Sequence, residues 1–509
     1  MMTTISPFEG MNLDTLLEHR AQSRRDHPFL VWAPFEGDTR TWTYGEFARD
    51  VARIAGGLSS KGIAAGDRVL VHFENCPETL LVRFALARIG AICVATNAMA
   101  AGPEIEHYAQ SSRAVAAITQ KKFADLVSAN AKGVRWVAAI EDSGPGDSAN
   151  SLSALMGDPA PSHPSRHSDV CAIMFTTGTT GKPKGVVWTH ANLLWACRHG
   201  CRSYGLRPDD ISLITLPLFH VVGLCWSFLP VLWAGSTAVL QPKFSATRFW
   251  PASLQHRATI TSQVLFSSAS LQGQTPPEKH FYRQWIVARG DAVSQAHNRI
   301  PHFLPSWGMT EMVGPAICGD PNIAAFEGAL GRSSLSHEIS IRTPDGRPVE
   351  PGNTGDLFVR GRRGLSVFLE YDGDAAATRA AFDEDGYFRT GDRVTLLESG
   401  WIQFSERSSD VIKVGGEGVS PSEIENVIRT IDGVREVAVV GAPDDVFGQL
   451  PVAFVEIGND PDRDIEDRIL QACRASLAKF KVPQRVVTLA ELPRVGNGKV
   501  ARQKLRQLL

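Results

Sequence analysis

The chain has 509 residues, of which 43% are hydrophobic, and its 52 Lys and Arg residues nearly balance 54 Asp and Glu residues. This length exceeds what one hydrophobic core normally serves, so two or more domains are expected. The formal net charge of -2 provides no overall field that would attract nucleic acid or an anionic membrane, so neither is expected as a partner.

Hydropathy and the first residues predict a protein of the cytoplasm. No run of about 18 or more apolar residues is free of polar interruption, so no membrane span is expected. Residues 1–20 carry Glu9, Asp14 and Glu18 and lack the basic and apolar regions of a signal peptide. Homodimerisation is left open.

Short β-rich runs alternate with helical patterns along the first part of the chain. A strand is predicted at 68–73, a helix at 78–88 and a further strand at 91–94. The later predicted strands are 114–119, 136–141, 213–216, 238–240 and 285–288. This alternation favours an α/β fold with layered, mainly parallel sheets. Segment 142–169, rich in Ser, Gly, Pro and Asp, is interpreted as a surface connection.

A run at 176–185 offers four threonines, three glycines and two lysines without an acidic residue. Glycines let successive backbone N–H groups converge on an anion, and threonines and lysines add donors and charge, so polyphosphate binding is predicted. The run is not a Walker A loop, because Pro183 follows Lys182 and a β-favouring segment follows Gly185. The phosphate-binding residues predicted here are Thr176, Thr177, Gly178, Thr179, Thr180, Gly181 and Lys184.

The last hundred residues have a separate pattern. A helix is predicted at 422–431, strands at 437–441 and 452–457, and an amphipathic helix at 465–480. These elements indicate a small α/β domain.

Six motifs together resemble those of the adenylate-forming superfamily, which includes acyl-CoA synthetases, beetle luciferases and the adenylation domains of peptide synthetases. The resemblance covers nearly the whole chain. Besides the run at 176–185, the motifs are 216–220 (LPLFH), 307–311 (WGMTE), 387–392 (YFRTGD), 410–425 and 493–499 (PRVGNGK).

The resemblance implies a large N-terminal AMP-binding domain, residues 1–408, and a small mobile C-terminal lid domain, residues 409–509. The boundary follows from the family's hinge, which comes just after an arginine that corresponds to Arg407. Ser409 then stands at the hinge position, where the family usually has aspartate or lysine. Catalysis is expected in the cleft between the domains.

The implied activity is an ATP-dependent carboxylic acid:CoA ligation through an acyl-adenylate and then a CoA thioester. ATP, Mg²⁺ and coenzyme A are the expected cofactors, and a small carboxylic acid is the expected substrate. An enzyme that loads a carrier protein and a non-catalytic ATP-binding protein are the alternatives.

Three residues are assigned to catalysis by the resemblance. Lys499 matches the catalytic lysine, whose charge is needed where carboxylate and α-phosphate meet. Glu311 is a hard oxygen ligand suited to Mg²⁺ between the ATP phosphates, and Thr310 can donate to the α-phosphate.

Four residues are assigned by the resemblance to the nucleoside. Asp392 is expected to accept from the ribose hydroxyls, with Arg407 near the same ribose. Trp307 replaces the usual tyrosine and can pack on adenine. Gly290 is the one aligned glycine of an adenine loop, 288–292, that departs from the family's pattern.

His220 and Gly308 are assigned to the acyl pocket, and Gly415 and Gly416 to the tunnel for the pantetheine arm of CoA. Amino-acid-activating relatives have an aspartate where this chain has His220, so acids with neutral tails are expected over α-amino acids. The adenine loop and segments 244–250 and 257–259 resemble the crotonobetaine/carnitine-CoA ligase branch. No motif specifies a pocket for a quaternary ammonium group.

Overall fold

A computed structural model describes residues 6–140, 152–176, 183–407, 411–457, 464–494 and 500–509. The first elements alternate between strands and helices. In chain order they are α1 (Leu13–Ser23), β1 (Pro28–Trp32), β2 (Arg40–Thr43), α2 (Tyr44–Ser60), β3 (Arg68–His72), α3 (Pro77–Arg88), β4 (Ile92–Ala95), α4 (Gly102–Ser112), β5 (Ala116–Gln120), α5 (Ala124–Asn130), β6 (Val137–Ile140) and β7 (Val170–Thr176).

The alternation of strands and helices continues after the run at 176–185, called here the phosphate-loop run, and then changes to mainly strands. The elements are β8 (Lys184–Thr189), α6 (His190–Ser203), β9 (Ile211–Ile214), α7 (Leu229–Ala234), β10 (Thr237–Leu240), α8 (Ala246–Gln255), β11 (Ile260–Gln263), α9 (Leu265–Gln272), β12 (Gln284–Val287), α10 (Ala292–His297), β13 (His302–Trp307), β14 (Ile317–Cys318), β15 (Ala329–Ser333), β16 (Glu338–Arg342), β17 (Thr354–Arg360), β18 (Glu370–Tyr371), α11 (Ala375–Ala380), β19 (Phe388–Leu396) and β20 (Ile402–Arg407).

The C-terminal part has its own elements. They are β21 (Ile412–Val414), β22 (Glu417–Val419), α12 (Pro421–Ile428), β23 (Val434–Asp444), β24 (Gly448–Ile457), α13 (Ile465–Ser476), β25 (Arg485–Leu489) and α14 (Arg502–Arg506).

Two sheets form the large N-terminal domain. One has 13 strands in the order β16-β17-β19-β20-β15-β14-β13-β12-β11-β9-β10-β1-β2, and the other has seven in the order β18-β8-β7-β4-β3-β5-β6. Strands β9 to β13 and β3 to β7 pair in parallel, whereas β14 to β20 and β8 add antiparallel pairs.

The main core lies between the two sheets. Helix α3 is buried from Pro77 to Ala87, and its Phe84 belongs to the same apolar cluster as Phe29 of the large sheet and Val69 of the seven-stranded sheet. A helix buried along its whole length joins the two sheets into one domain.

The smaller C-terminal domain has a five-stranded sheet of β21 to β25, covered by α12 and α13 around a separate apolar cluster. The α/β class with a large and a small domain is therefore confirmed. Among the described residues, none of the helices has the length and apolar character needed to cross a membrane.

The predicted helix at 465–480 is too long. It ends at Ser476, because Leu477 is extended, with φ -124° and ψ 152°, and turns its buried side chain into the small domain's core. A separate 3₁₀ turn, Lys479–Lys481, follows. That turn brings Lys481 into the interior of the protein.

Candidate active site

The two strands that flank the phosphate-loop run meet at its ends. Thr176 at the end of β7 is the Cα partner of Lys184 at the start of β8, in an antiparallel pair. The β-favouring segment that follows Gly185 therefore lies in β8, as the sequence indicated. The predicted phosphate-binding residues Thr177, Gly178, Thr179, Thr180 and Gly181 lie outside the described residues.

Glu311 lies in a 3₁₀ turn just after β13 and is only 4% exposed. The hydroxyl of Tyr371, on β18, donates to Glu311 Oε1 at 2.8 Å. Burial, together with the charge of Glu311, raises the pKa of the Tyr371 phenol, which therefore stays protonated as a donor. The ammonium group of Lys184 lies 5.0 Å from the centre of the Tyr371 ring. Tyr371 thus links a predicted metal ligand to the phosphate-loop strand.

Sequence reasoning missed Tyr371. It lies 60 residues from Glu311 in the chain and belongs to no motif that pairs it with a carboxylate. Thr310 is held by a second contact, since Trp188 Nε1 donates to its carbonyl oxygen at 3.1 Å. The turn that carries Thr310 and Glu311 is therefore fixed from two sides.

Trp307 and Asp392 are brought together on β13 and β19. The indole Nε1 donates to Asp392 Oδ2 at 2.8 Å, and the two residues are 7% and 2% exposed. The Cα of Arg407, on β20, pairs with that of Asp392. Three of the four predicted nucleoside residues therefore lie on neighbouring segments.

Gly290, the fourth, has a structural reason to be glycine. Its amide donates to the carbonyl of Ala329 at 2.7 Å. A Cβ at this position would lie 2.1 Å from the carbonyl oxygen of Phe326, so no other residue fits without moving the backbone.

Gly308 lies where the chain turns between aromatic side chains. A Cβ on Gly308 would lie 2.8 Å from Trp226 Cζ2, and one on Gly314 would lie 2.6 Å from Trp195 Cζ3. Trp226 is carried by a π-helical segment, Val222–Phe228, that follows His220. π-helical segments of this kind are frequent at functional sites.

Histidines behind this turn are neutral. The Trp195 ring stacks on His199 with centroids 4.4 Å apart, and His199 Nε2 lies 3.0 Å from the carbonyl oxygen of Pro315. His337 packs edge-on against Trp195. Burial lowers the pKa of both histidines to about 4. Gly308 and Gly314 are therefore bordered by the uncharged rings of Trp226, Trp195 and His199, while Glu311 is a charged residue within the turn.

His220 contacts the small domain. Its Nε2 lies 2.5 Å from Glu417 Oε1, and Asn97 Nδ2 donates to Glu417 Oε2 at 3.4 Å. Burial raises the pKa of Glu417, but the neighbouring His220, Lys413 and Lys481 outweigh it and hold that pKa below its usual value.

Gly415 and Gly416 immediately precede Glu417 and adopt φ values of +59° and +95°, the left-handed region that favours glycine. A Cβ on Gly416 would lie 3.6 Å from Val264 Cγ2 in the large domain. The predicted acyl residue His220 and the predicted CoA residues Gly415 and Gly416 therefore lie at one junction between the domains. The predicted catalytic Lys499 and hinge residue Ser409 lie outside the described residues.

Glu311 fits a divalent cation only in part. No group of three His, Cys, Asp or Glu side chains that could hold a metal occurs among the described residues. Mg²⁺ commonly uses one or two carboxylates and completes its shell with water and substrate phosphates. A single buried carboxylate beside the phosphate-loop strand matches that mode and does not match a resident metal centre.

Comparison with known proteins gives two family matches. Residues 17–371 match the AMP-binding enzyme model, and residues 423–499 match the model of the AMP-binding enzyme C-terminal domain. A crotonobetaine/carnitine-CoA ligase of Salmonella paratyphi A is 31% identical, over 98% of this chain and 99% of the relative.

Solved structures of o-succinylbenzoate CoA synthetase from Bacillus subtilis are similar along the whole chain. A double mutant bound to a product analogue superimposes with a TM-score of 0.84 at 26% identity, covering 96% of this chain and 97% of that one. The complex of that synthetase with AMP superimposes with a TM-score of 0.69 at 26% identity, covering 96% and 98%. The expected acid–CoA ligase activity, with ATP and CoA as co-substrates, is confirmed, and the chain belongs to the AMP-binding enzyme family.

Proposed function

We propose that the protein activates a carboxylic acid with an uncharged tail of modest size and transfers it to CoA, and that the lid reorients between the two half-reactions. The observation that carries the choice of acid is the set of uncharged aromatic side chains that border Gly308 and Gly314. A buried α-ammonium group would need a counter-ion, and the two carboxylates described nearby have other roles: Glu311 accepts from Tyr371 and is assigned to Mg²⁺, and Glu417 contacts His220.

In the first half-reaction, the phosphate run binds the ATP phosphates and Lys184 adds positive charge at its exit. Lys499 offsets the repulsion between the substrate carboxylate and the α-phosphate as the two anions meet. Glu311, held by Tyr371, would hold Mg²⁺ together with ATP oxygens, and the ion would supply charge neutralisation between the phosphates.

The nucleoside is held by the pair Trp307 and Asp392. The indole N–H fixes one oxygen of the carboxylate, which orients Asp392 for the ribose hydroxyls. Arg407, on the paired strand, is assigned to the same ribose, and Gly290 lets the adenine loop pass close to Phe326.

In the second half-reaction, the lid presents Gly415, Gly416 and Glu417 to the cleft. Two observations support the proposal that the described arrangement serves thioester formation. Glu417 contacts His220 at the acyl junction, and the whole chain superimposes better on the product-analogue complex than on the AMP complex of the same synthetase. The domain boundary lies between residues 408 and 409. Rotation about Ser409 would withdraw Gly415–Glu417 from the cleft and bring Lys499 into it.

An acid panel tests the substrate class. It should contain simple aliphatic and aryl acids, proteinogenic amino acids, crotonobetaine, and the carbon isostere of crotonobetaine in which a tert-butyl group replaces the trimethylammonium group. CoA-dependent AMP release should be fastest with neutral acids, and the isostere should exceed crotonobetaine.

The relative named crotonobetaine/carnitine-CoA ligase makes betaine acids the second candidate, and Trp226, beside Gly308, is an aromatic residue of the kind that holds quaternary ammonium groups by cation–π attraction. Faster turnover of crotonobetaine than of its isostere would identify betaine acids as the substrates. Turnover stimulated best by an amino acid would reject both.

Lys499→Ala tests the assignment of the catalytic lysine. Adenylation, followed by exchange of pyrophosphate into ATP, should fall by about 10²-fold or more, as for other removed electrostatic groups, while ATP binding changes little. Thioester formation from preformed acyl-adenylate and CoA should survive. Equal loss of both half-reactions would contradict the role.

A further inference from the structure

A lysine is buried where the two domains meet. Lys481 is 3% exposed, and its ammonium group donates to two carboxylates, Glu104 Oε1 and Glu423 Oε1, the latter at 2.7 Å. Glu104 belongs to α4 of the large domain and Glu423 to α12 of the small domain. One lysine therefore connects the domains through an ion pair hidden from water.

Both carboxylates accept from the ammonium group of Lys481. Glu104 Oε2 accepts from the amide of Ala101 at 2.8 Å and caps α4, which leaves Oε1 for Lys481. Glu423 lies in the first turn of α12. Burial opposes the charge of Lys481, yet the two carboxylates outweigh it and raise the pKa of the ammonium group, so Lys481 remains charged.

Only one of these two bonds crosses between the domains. Lys481 and Glu423 both belong to the small domain, so their bond survives any rotation of that domain as a body. The bond to Glu104 exists only while the lid has its present orientation, in which Glu417 also reaches His220.

We propose that Lys481 is a positioning residue for thioester formation: its bond to Glu104, called here the latch, holds the lid in the orientation that brings Gly415–Glu417 to the acyl junction. The proposal rests on the two lid orientations proposed above. The new element is Lys481, the residue that favours one of these two orientations.

The latch lies beside the segment it positions. Tyr108 follows Glu104 by one turn of α4 and is buried within electrostatic range of Glu104, Glu423 and Glu417, whose charges, after burial itself, raise its pKa. The ring of Tyr108 lies 4.4 Å from that of Phe175, at the end of β7. Helix α4 thus borders both the lid and the strand that enters the phosphate run.

Charge-removing variants test the latch. Glu104→Gln retains a side-chain oxygen for the cap of α4, and Lys481→Met retains most of the side-chain volume. Each should slow single-turnover thioester formation from acyl-adenylate and CoA by about 10-fold to 100-fold, because a buried ion pair across an interface is lost. Exchange of pyrophosphate into ATP should stay within about twofold of the wild-type rate.

The double variant Glu104→Gln/Lys481→Met measures how far the effects of the two substitutions on thioester formation depend on each other. If the two groups act through one bond, the double variant should be no slower than the slower single variant. Glu425→Gln is the matched control, because Glu425 is also buried on α12 but pairs with Arg502 inside the small domain. It should not separate the two half-reactions.

A distance measurement between the two domains tests the latch without a catalytic assay. Spin labels at the exposed positions Asp125 and Asp467, one in each domain, report the orientation of the lid. Lys481→Met should move population away from the wild-type distance, and Glu425→Gln should not. Unchanged distances together with unchanged thioester formation would overturn the latch, as would equal slowing of both half-reactions. A wild-type protein without CoA-dependent turnover, but with two lid distances, would instead refute the proposed function.

Discussion

Replacement of Trp307 by phenylalanine removes one defined hydrogen bond from the nucleotide site. The variant keeps an aromatic ring for adenine but loses the N–H that donates to Asp392 Oδ2 at 2.8 Å. Hydrogen bonds to charged groups contribute roughly 1.5–3 kcal/mol, and both partners here are buried. Because each 1.4 kcal/mol is a factor of ten, ATP binding should weaken by about 10-fold to 100-fold if Asp392 loses its orientation.

The assay is exchange of pyrophosphate into ATP at varied ATP concentration, together with urea unfolding. The KM for ATP should rise with a smaller change in kcat, as expected when binding shared by ground state and transition state is removed. Trp285→Phe is the matched control, since Trp285 lies on the neighbouring strand, is fully buried, and its Nε1 has no hydrogen-bond partner among the described residues. The two variants lose similar ring volume, so their difference isolates the hydrogen bond. Equal stability of the two variants with an unchanged KM for ATP would refute this reasoning.

Two further predictions concern charge. Tyr371→Phe removes the donor to Glu311 and should weaken the apparent Mg²⁺ affinity by about 10-fold to 100-fold, measured by Mn²⁺ binding with ATP present, whereas Tyr282→Phe, which loses a bond to Ser253, should not. Burial holds the pKa of four histidines near 4, below the unfolded value of about 6.5: His72, His190, His199 and His337. The free energy of unfolding should therefore be at its full value above pH 6.5 and fall towards pH 4. The fall should reach up to about 1.4 kcal/mol per pH unit for each histidine. Urea unfolding between pH 7 and 5 measures this slope, and a flat profile would contradict neutral buried histidines.

Much of the fold could be predicted because its signals are local. The alternation of β-rich runs and helices placed the strand at 285–288 within one residue of β12, and the β-favouring segment after Gly185 lies in β8. The predicted helix at 465–480 is too long because Leu477 continues its apolar pattern. The helix ends before Leu477 because that side chain is buried in the core of the small domain, which local sequence does not reveal.

The contacts that organise the site could not be predicted in the same way. Tyr371 and Glu311 are 60 residues apart, and Lys481 and Glu104 are 377 apart, so no local spacing joins either pair. In sequence, a lysine near the C-terminus is expected at the surface, since lysine is almost never fully buried unless it is paired. Its carboxylate partners come from helices of two different domains, and only the assembled interface reveals them.

The arrangement of charge around Lys481 is also suited to the proposed rotation of the lid. Removing one partner of a buried ion pair costs about 3–5 kcal/mol when the other charge is left buried and unpaired. In the proposed rotation neither charge would be left in that state, because Lys481 would keep Glu423, and Glu104 would face solvent with its capping bond to Ala101 intact. A single bond that crosses the interface therefore favours one orientation without trapping it. A lysine paired only across the interface would hold the lid more tightly and slow its return to the adenylating orientation.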